Sequence, residues 1–382
     1  MNGVFPLRPK VKTIIDYIEV LAPPNLAAEG DPTGFQIGDP EAEISKILVS
    51  LDPDEGAIEE AVAKGAEMLV THHPFIFQPL ASVDESRPQP ALVALVIRKQ
   101  LHIYSAHTNF DAAPGGVSRR LAEKLSLPVE KAEILEKTGS IDYLKLVVFV
   151  PVGHEDKVRD TIAEAGAGRI GNYSHCTFQV PGIGTFRPGK GSRPFIGREN
   201  NLEKVQELRL ETILPLDRKK AVIEALLSVH PYEEPAYDLY PSALEGKPVG
   251  FGLIIDLAEG LAAGELVERC RRFLKPRCLR CYFAGKDRIR RIALCGGSGG
   301  SMVESAAQKR ADLLISGDFR YHDLKLAQTC GLALIDAGHD ATEWPGVFYL
   351  KQYLEERLAA DRFAAEVLMP ISAATTWDLV DG

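Results

Sequence analysis

Cysteine is scarce in this chain of 382 residues. The six present, Cys176, Cys270, Cys278, Cys281, Cys295 and Cys330, are too few and too scattered for a disulfide framework. Cys278 and Cys281 form a C-x2-C with Cys270 nearby, but no second pair follows at zinc-ribbon spacing, so buried or idle thiols are expected. Long apolar runs are also missing: none approaches the roughly 20 residues a membrane helix needs. The start, Met1-Asn2-Gly3-Val4-Phe5-Pro6, lacks a basic region followed by an apolar stretch, so a cytoplasmic location without membrane partners is expected. There is no surplus of positive charge either. A net charge of -9 argues against a general nucleic-acid binder, which needs a basic surface to neutralise phosphates. Local clusters such as Arg269–Arg272 and Lys286–Arg291 read as solvated helix faces and turns.

What the chain does have is three apolar runs that end in histidine or carboxylate. Met68 to Val70 leads to His72-His73-Pro74; Leu101 to Ser105 leads to His107 and, four residues on, Asp111; Leu332 to Ile335 leads to His339 and, four residues on, Glu343. Strand-like and helix-like patterns alternate around them, which predicts an α/β fold with parallel pairs and right-handed crossovers. An offset of 245 carries Ile47 onto Ile292, Ala61 onto Ala306, Lys64 onto Lys309 and Leu69 onto Leu314. Thr71-His72-His73 then falls on Ser316-Gly317-Asp318, and a shorter linker brings His339 onto His107 and Glu343 onto Asp111. A pseudo-duplicated domain of two βα-repeat halves follows, residues 1–140 and 246–382. Its strand ends should lie side by side, where ligands of such sheets bind.

Residues 141–245 differ in character. Strand, helix, strand, a Gly/Pro/Arg-rich segment from Gly182 to Arg198, then strand, helix, strand again give the βαβ–βαβ order of a ferredoxin-like α+β unit. This stretch is expected to be an inserted domain.

His72, His73, His107, Asp111, His339 and Glu343 exceed what one catalytic zinc takes, three protein ligands and an open position. They suit two divalent ions about 4 Å apart, with zinc, iron, manganese and cobalt all compatible. On a regular strand His72 and His73 would face opposite sides. Pro74 disfavours continuation, so the chain can turn there and both rings can serve one cavity. Asp318 is expected to orient a ligand or a nearby water from behind. The loop Cys295-Gly296-Gly297-Ser298-Gly299-Gly300-Ser301, between a strand and a helix, either cradles a phosphate through Gly297 and Gly299 or is a tight turn under close packing. His322 is either an acid/base beside the metals or a helix cap. His102 reads as structural. His230-Pro231-Tyr232-Glu233-Glu234-Pro235 reads as a rigid turn, with a second metal site as the alternative.

Three motifs, Thr71-His72-His73-Pro74-Phe75-Ile76-Phe77, Ala106 to Asp111 with Gly115-Gly116-Val117, and Ser316-Gly317-Asp318 with Ala337 to Glu343, resemble the Nif-three-like family. That family is also labelled GTP cyclohydrolase 1 type 2 homologue. The insert, with His-Pro-Tyr-Glu-Glu-Pro-Ala, resembles the CutA/PII-like domain that many bacterial members carry. The resemblance implies a dinuclear centre on His72, His73, Asp111, His339 and Glu343, with His107 as a further ligand or a group just behind them. It also implies homohexameric rings. One departure is visible: where the family usually has Trp-Asp-Asn-x-Gly-Leu, this chain has Gly30-Asp31-Pro32-Thr33-Gly34-Phe35. The implied activity is metal-dependent hydrolysis of a nucleotide such as GTP, with Glu343 or Asp111 bridging and His322 moving a proton. Two alternatives stand beside it. One is a metal-responsive regulatory or scaffold assembly that senses a small ligand through the insert; the other is a two-metal phosphoesterase.

Overall fold

Continuous apolar runs four or five residues long make strands that are covered on both faces, the pattern of parallel sheet. The computed structural model describes residues 7–370 and bears this out. Helix α1 (Val11–Leu21) comes first, then an edge strand β1 (Gly34–Ile37). The unit β2 (Lys46–Ser50), α2 (Glu55–Lys64), β3 (Met68–Thr71), α3 (Pro88–Arg98) and β4 (His102–Ser105) follows. Helix α2 has clear local causes: Asp54 accepts the Ala57 amide at its start, and Gly65 closes it in the left-handed region at φ 68°. Short α4 (Thr108–Ala112) and α5 (Val117–Lys124) lead to the strand β5 (Glu133–Ile141).

Residues 140–248 form a compact unit of their own. It contains β6 (Tyr143–Pro151), α6 (Glu155–Glu164), β7 (Thr177–Phe186), β8 (Glu203–Pro215), α7 (Lys219–Val229) and β9 (Tyr237–Pro241). All neighbours in its sheet are antiparallel, in the order β7-β8-β6-β9. Leu146, Val148, Val150, Val158, Ile162, Leu210, Leu214, Val222 and Leu226 are its buried core. The Gly182–Arg198 segment is strand as far as Phe186, and hairpin loop beyond.

The chain then returns through β10 (Lys247–Ala262), α8 (Ala263–Arg269), β11 (Arg280–Tyr282) and β12 (Arg288–Ser298). Helix α9 (Met302–Gln308), β13 (Leu313–Gly317), α10 (Tyr321–Cys330), β14 (Ala333–Asp336), α11 (His339–Ala360) and β15 (Glu366–Leu368) complete it. Residues up to 139 and from 249 on belong to one compact unit holding two sheets, β1-β4-β3-β2-β15 and β11-β14-β13-β12-β10-β5.

The two sheets share a connectivity. β2-β3-β4 and β12-β13-β14 are parallel triplets, and β1 and β11 run antiparallel to the third strand of each. Registers agree as well. Ile47 pairs with Met68 and Ile292 with Leu313, both shifted by the same 245 residues. The agreement slips by one residue further on. The amides of Ala106 and Ala337 bond Thr71 and Ser316 in the same way, but helix α4 starts right after His107, whereas Gly338, at φ 85°, precedes His339. His107 therefore caps its helix from outside, while His339 is the first residue inside.

Candidate metal centre

Every proposed ligand sits where a parallel strand stops. β3 ends at Thr71, and the amides of His72 and His73 still bond the carbonyls of Ser50 and Leu51 before Pro74 turns the chain away. Both rings consequently point into one space, 5.2 Å apart between centroids. His107 precedes α4 and Asp111 lies within it, and His339 and Glu343 share one face at the start of α11 at the i, i+4 spacing.

What fixes the chemistry is how the rings are held. Nδ1 of His72 lies 2.7 Å from the Ala106 carbonyl. A carbonyl can only accept, so this nitrogen carries a proton and Nε2 is the atom left to face the cavity. Nδ1 of His73 meets Asp52 at 2.7 Å, Nδ1 of His107 meets Asp31 at 2.6 Å, and Nδ1 of His339 meets Asp318 at 2.8 Å. Four histidines thus spend Nδ1 on an anchor and turn Nε2 inward, as metal-binding imidazoles do.

The inward atoms crowd. Nε2 of His73 and His339 are 3.3 Å apart, and Glu343 Oε2 lies 3.1 and 3.2 Å from them. Nε2 of His72 is 3.6 Å from both Asp111 Oδ1 and Glu343 Oε1. His72, with 1% of its surface exposed, leaves Nε2 without a hydrogen bond, and Glu343 Oε2 is buried with only the His73 and His339 ring nitrogens beside it. Burying such atoms unpaired costs on the order of 1–3 kcal/mol each. A cation among them removes that cost, so the donor set fits divalent metal. Two overlapping groups could hold an ion: His72, His73 and His107, and His73, His339 and Glu343. No cysteine belongs to either group among the described residues.

Protons respond to the same field. Burial opposes charge on His73, but Asp52 and Glu343 outweigh it and hold its pKa up at about 10. His339 is likewise raised to about 9, with burial opposed by Glu343 and Asp318. Burial alone would raise the Glu343 pKa, yet His72, His339 and His73 hold it well below the carboxylate range. Asp111 moves the other way, raised by burial against the pull of His72.

Asp31 and Asp52 were missed from sequence. Each is a lone acid in a loop, with no spacing to mark it; only the structure shows Asp31 also accepting from the Thr108 hydroxyl at 2.6 Å. Asp318, expected behind the metals, does meet His339, and it occupies φ 55° to do so. Gly297 lies against the site: its φ is 70°, and a Cβ there would overlap Glu343 Oε1. The amides of Gly297 and Gly299 are bonded internally, to Thr342 Oγ1 and the Gly317 carbonyl. His322 is exposed on α10 and stacks edge-on with Tyr321. His102 accepts the Asp39 amide through Nδ1.

The family Duf34/NIF3 (NGG1p interacting factor 3) matches residues 9–374. The chain belongs to that family. It is 40% identical over 347 residues to the GTP cyclohydrolase 1 type 2 homolog of Halalkalibacterium halodurans, covering 91% of each chain. The Bacillus subtilis protein of the same name is 38% identical over 86% of this chain and 87% of its own. A solved Bacillus cereus protein described as related to NIF3 shares 37% identity, with a TM-score of 0.82 over 97% of this chain and 99% of that one. Among the described residues no helix is long and apolar enough to cross a membrane.

Proposed function

We propose that this DUF34/NIF3 chain is a dinuclear metal-dependent hydrolase acting on a nucleotide such as GTP. One observation carries the reading: four anchored imidazoles turn Nε2 toward two carboxylates in one buried space, with His72 Nε2 left without a hydrogen bond. Six donors exceed one catalytic zinc and suit two ions. His72, His73, His107 and Asp111 come from the first half, His339 and Glu343 from the second. Zinc, iron, manganese and cobalt all suit mixed imidazole and carboxylate donors.

Bound ions would supply Lewis acidity and water of lowered pKa. The chain supplies the rest. Asp31, Asp52 and Asp318 fix ring orientation, and Glu343 stays ionised. In this reading His322 serves as proton shuttle, while the amides of Gly297 and Gly299, bonded internally, are not free to cradle a phosphate. The shared connectivity and register of the two sheets support a pseudo-duplicated origin, slipped by one residue at Gly338. The strand order β7-β8-β6-β9 supports a ferredoxin-like, CutA/PII-like insert over 141–245. Hexameric rings are proposed from the family resemblance.

GTP is the first substrate to try, because the relatives above carry a cyclohydrolase name. Metal-loaded protein should open the imidazole ring of GTP, and His73→Ala should abolish it. His322→Ala should slow turnover with metal content unchanged. Release of phosphate with the purine intact would make the chain a phosphoesterase. Full metal occupancy with neither product would overturn the hydrolase reading.

A further inference from the structure

The inserted unit contains a cavity of about 370 Å³ that uses none of the metal-site residues. Aromatic faces dominate its lining: Phe149, Phe186, Phe195 and Tyr232. Tyr232 packs edge-on against Phe186 at 5.7 Å and lies 6.4 Å from Phe195. Within this apolar wall sits one buried carboxylate, Glu207, with 7% of its surface exposed. Its Oε1 accepts from the Tyr232 hydroxyl at 2.8 Å. Its Oε2 lies over Gly184, where a Cβ would overlap it, and accepts no hydrogen bond among the described residues.

The His-Pro-Tyr-Glu-Glu-Pro turn builds this box. His230 bonds the Phe149 carbonyl through Nε2 at 3.1 Å and accepts the Tyr232 amide on Nδ1 at 3.1 Å. Both ring nitrogens are thereby used, so the turn is a brace for Tyr232 and His230 has no free nitrogen for a metal. Glu233, at the rim, is already engaged by the Arg193 amide at 3.0 Å and its side chain at 3.8 Å. Arg193 itself is 93% exposed and does not fill the box. No cation reaches Glu207 among the ion pairs of the described residues.

A buried carboxylate with a free oxygen, ringed by aromatic faces, asks for an N–H-bearing organic cation. Ring faces attract such a cation electrostatically, and a carboxylate accepts its N–H in a strong, charge-assisted bond. A metal ion suits the box poorly, since of its three carboxylates only Glu207 is buried, while Glu233 and Glu234 are exposed and Glu233 is taken by Arg193. The volume is that of a small-molecule site. We infer that the insert binds a small molecule through an alkylammonium or guanidinium group, seated over Phe195 and Tyr232 with its N–H on Glu207 Oε2. The inference stands on the insert alone and holds whether or not the metal centre is a hydrolase.

Agmatine and n-butylammonium, titrated into the full chain by calorimetry, test it. Both should bind saturably, and n-pentanol, uncharged and of similar size, should not. Glu207→Gln keeps an acceptor for Tyr232 and should weaken binding about tenfold or more, the loss expected when a charge-assisted bond becomes neutral. Phe195→Ala, at an exposed position, should weaken it severalfold at unchanged melting temperature. Metal content should stay the same in both variants. Failure of both cations to bind would overturn the proposal. So would equal affinity for n-pentanol, or a Glu207→Gln variant that binds as well as the parent. If a basic side chain of a second copy fills the box, neither probe will bind and Glu207→Gln will reduce the assembly's mass, which also overturns it.

Discussion

Among single residues, the carboxylates behind the rings decide more than their exposure suggests. Asp318 is more than half exposed, yet it adopts a left-handed backbone to reach His339 Nδ1. Asp318→Asn should weaken metal affinity roughly 10–100-fold without unfolding the chain, because the amide can accept the N–H but carries no charge to raise ligand basicity. Asp52→Asn should do the same through His73. Competition with a chelator of known affinity measures both, and unchanged affinity in both would separate these acids from the metals. The proposed ligands were legible from sequence because each histidine follows an apolar run. Of their anchors only Asp318 was, through the proposed repeat. A loop acid such as Asp31 has no periodicity, and its partner is 76 positions away.

The raised pKa values of the same rings make a pH prediction. His73 and His339, at about 10 and about 9, are protonated in the metal-free protein near neutrality. Metal needs them neutral, so loading should release protons, and affinity should climb with pH until it passes those values. Calorimetry in buffers of different ionisation enthalpy counts the protons. The sign for folding runs opposite. These folded-state values lie above an unfolded histidine near 6.5, so their stabilisation is complete below that pH and is lost as pH rises through about 9 to 10. Metal-free protein should therefore melt lower at pH 10 than at pH 7, and metal-loaded protein should lose less.

At the level of elements, turns place the chemistry. Strand β12 has Gly296 and Gly297 just before its end, where the Glu343 side chain comes close. Gly297→Ala adds left-handed strain of about 1–2 kcal/mol and pushes a methyl into the Glu343 carboxylate, so the variant should both melt lower and lose metal. Gly65→Ala is the matching control. It sits at φ 68° with open space around it, so it should lose comparable stability with full metal content. Elemental analysis beside a thermal melt distinguishes the two. The central parallel strands were readable because burial on both faces demands unbroken apolar runs. The edge strands β1, β11 and β15 were not, since three or four residues with one open side leave no pattern. Helix α11 carries Pro345 in its second turn, a residue that cannot donate to Ala341 and reads in sequence as a helix breaker.

For the whole molecule, the question is whether the insert is needed by the metal centre. Everything proposed to hold metal, and every anchor behind it, lies in the unit built from residues up to 139 and from 249 on. The exit and return points of that unit are neighbours. β5 and β10 are adjacent in one sheet, and Thr138 Oγ1 bonds the Val249 carbonyl at 3.4 Å. Nothing in that sheet has to move for a short join to close it. The insert, roughly a hundred residues with its own buried core, is large enough to fold by itself. Residues 141–245 alone should accordingly unfold in one cooperative transition, and a chain with residue 140 joined to 246 should bind as much metal as the full protein. Both proteins are checked by denaturant melts, the deletion also by elemental analysis. A deletion protein that folds cooperatively but arrives without metal would show that the insert supplies a ligand. A deletion protein that keeps its metal but loses agmatine binding would place the two sites in separate units, each with its own chemistry.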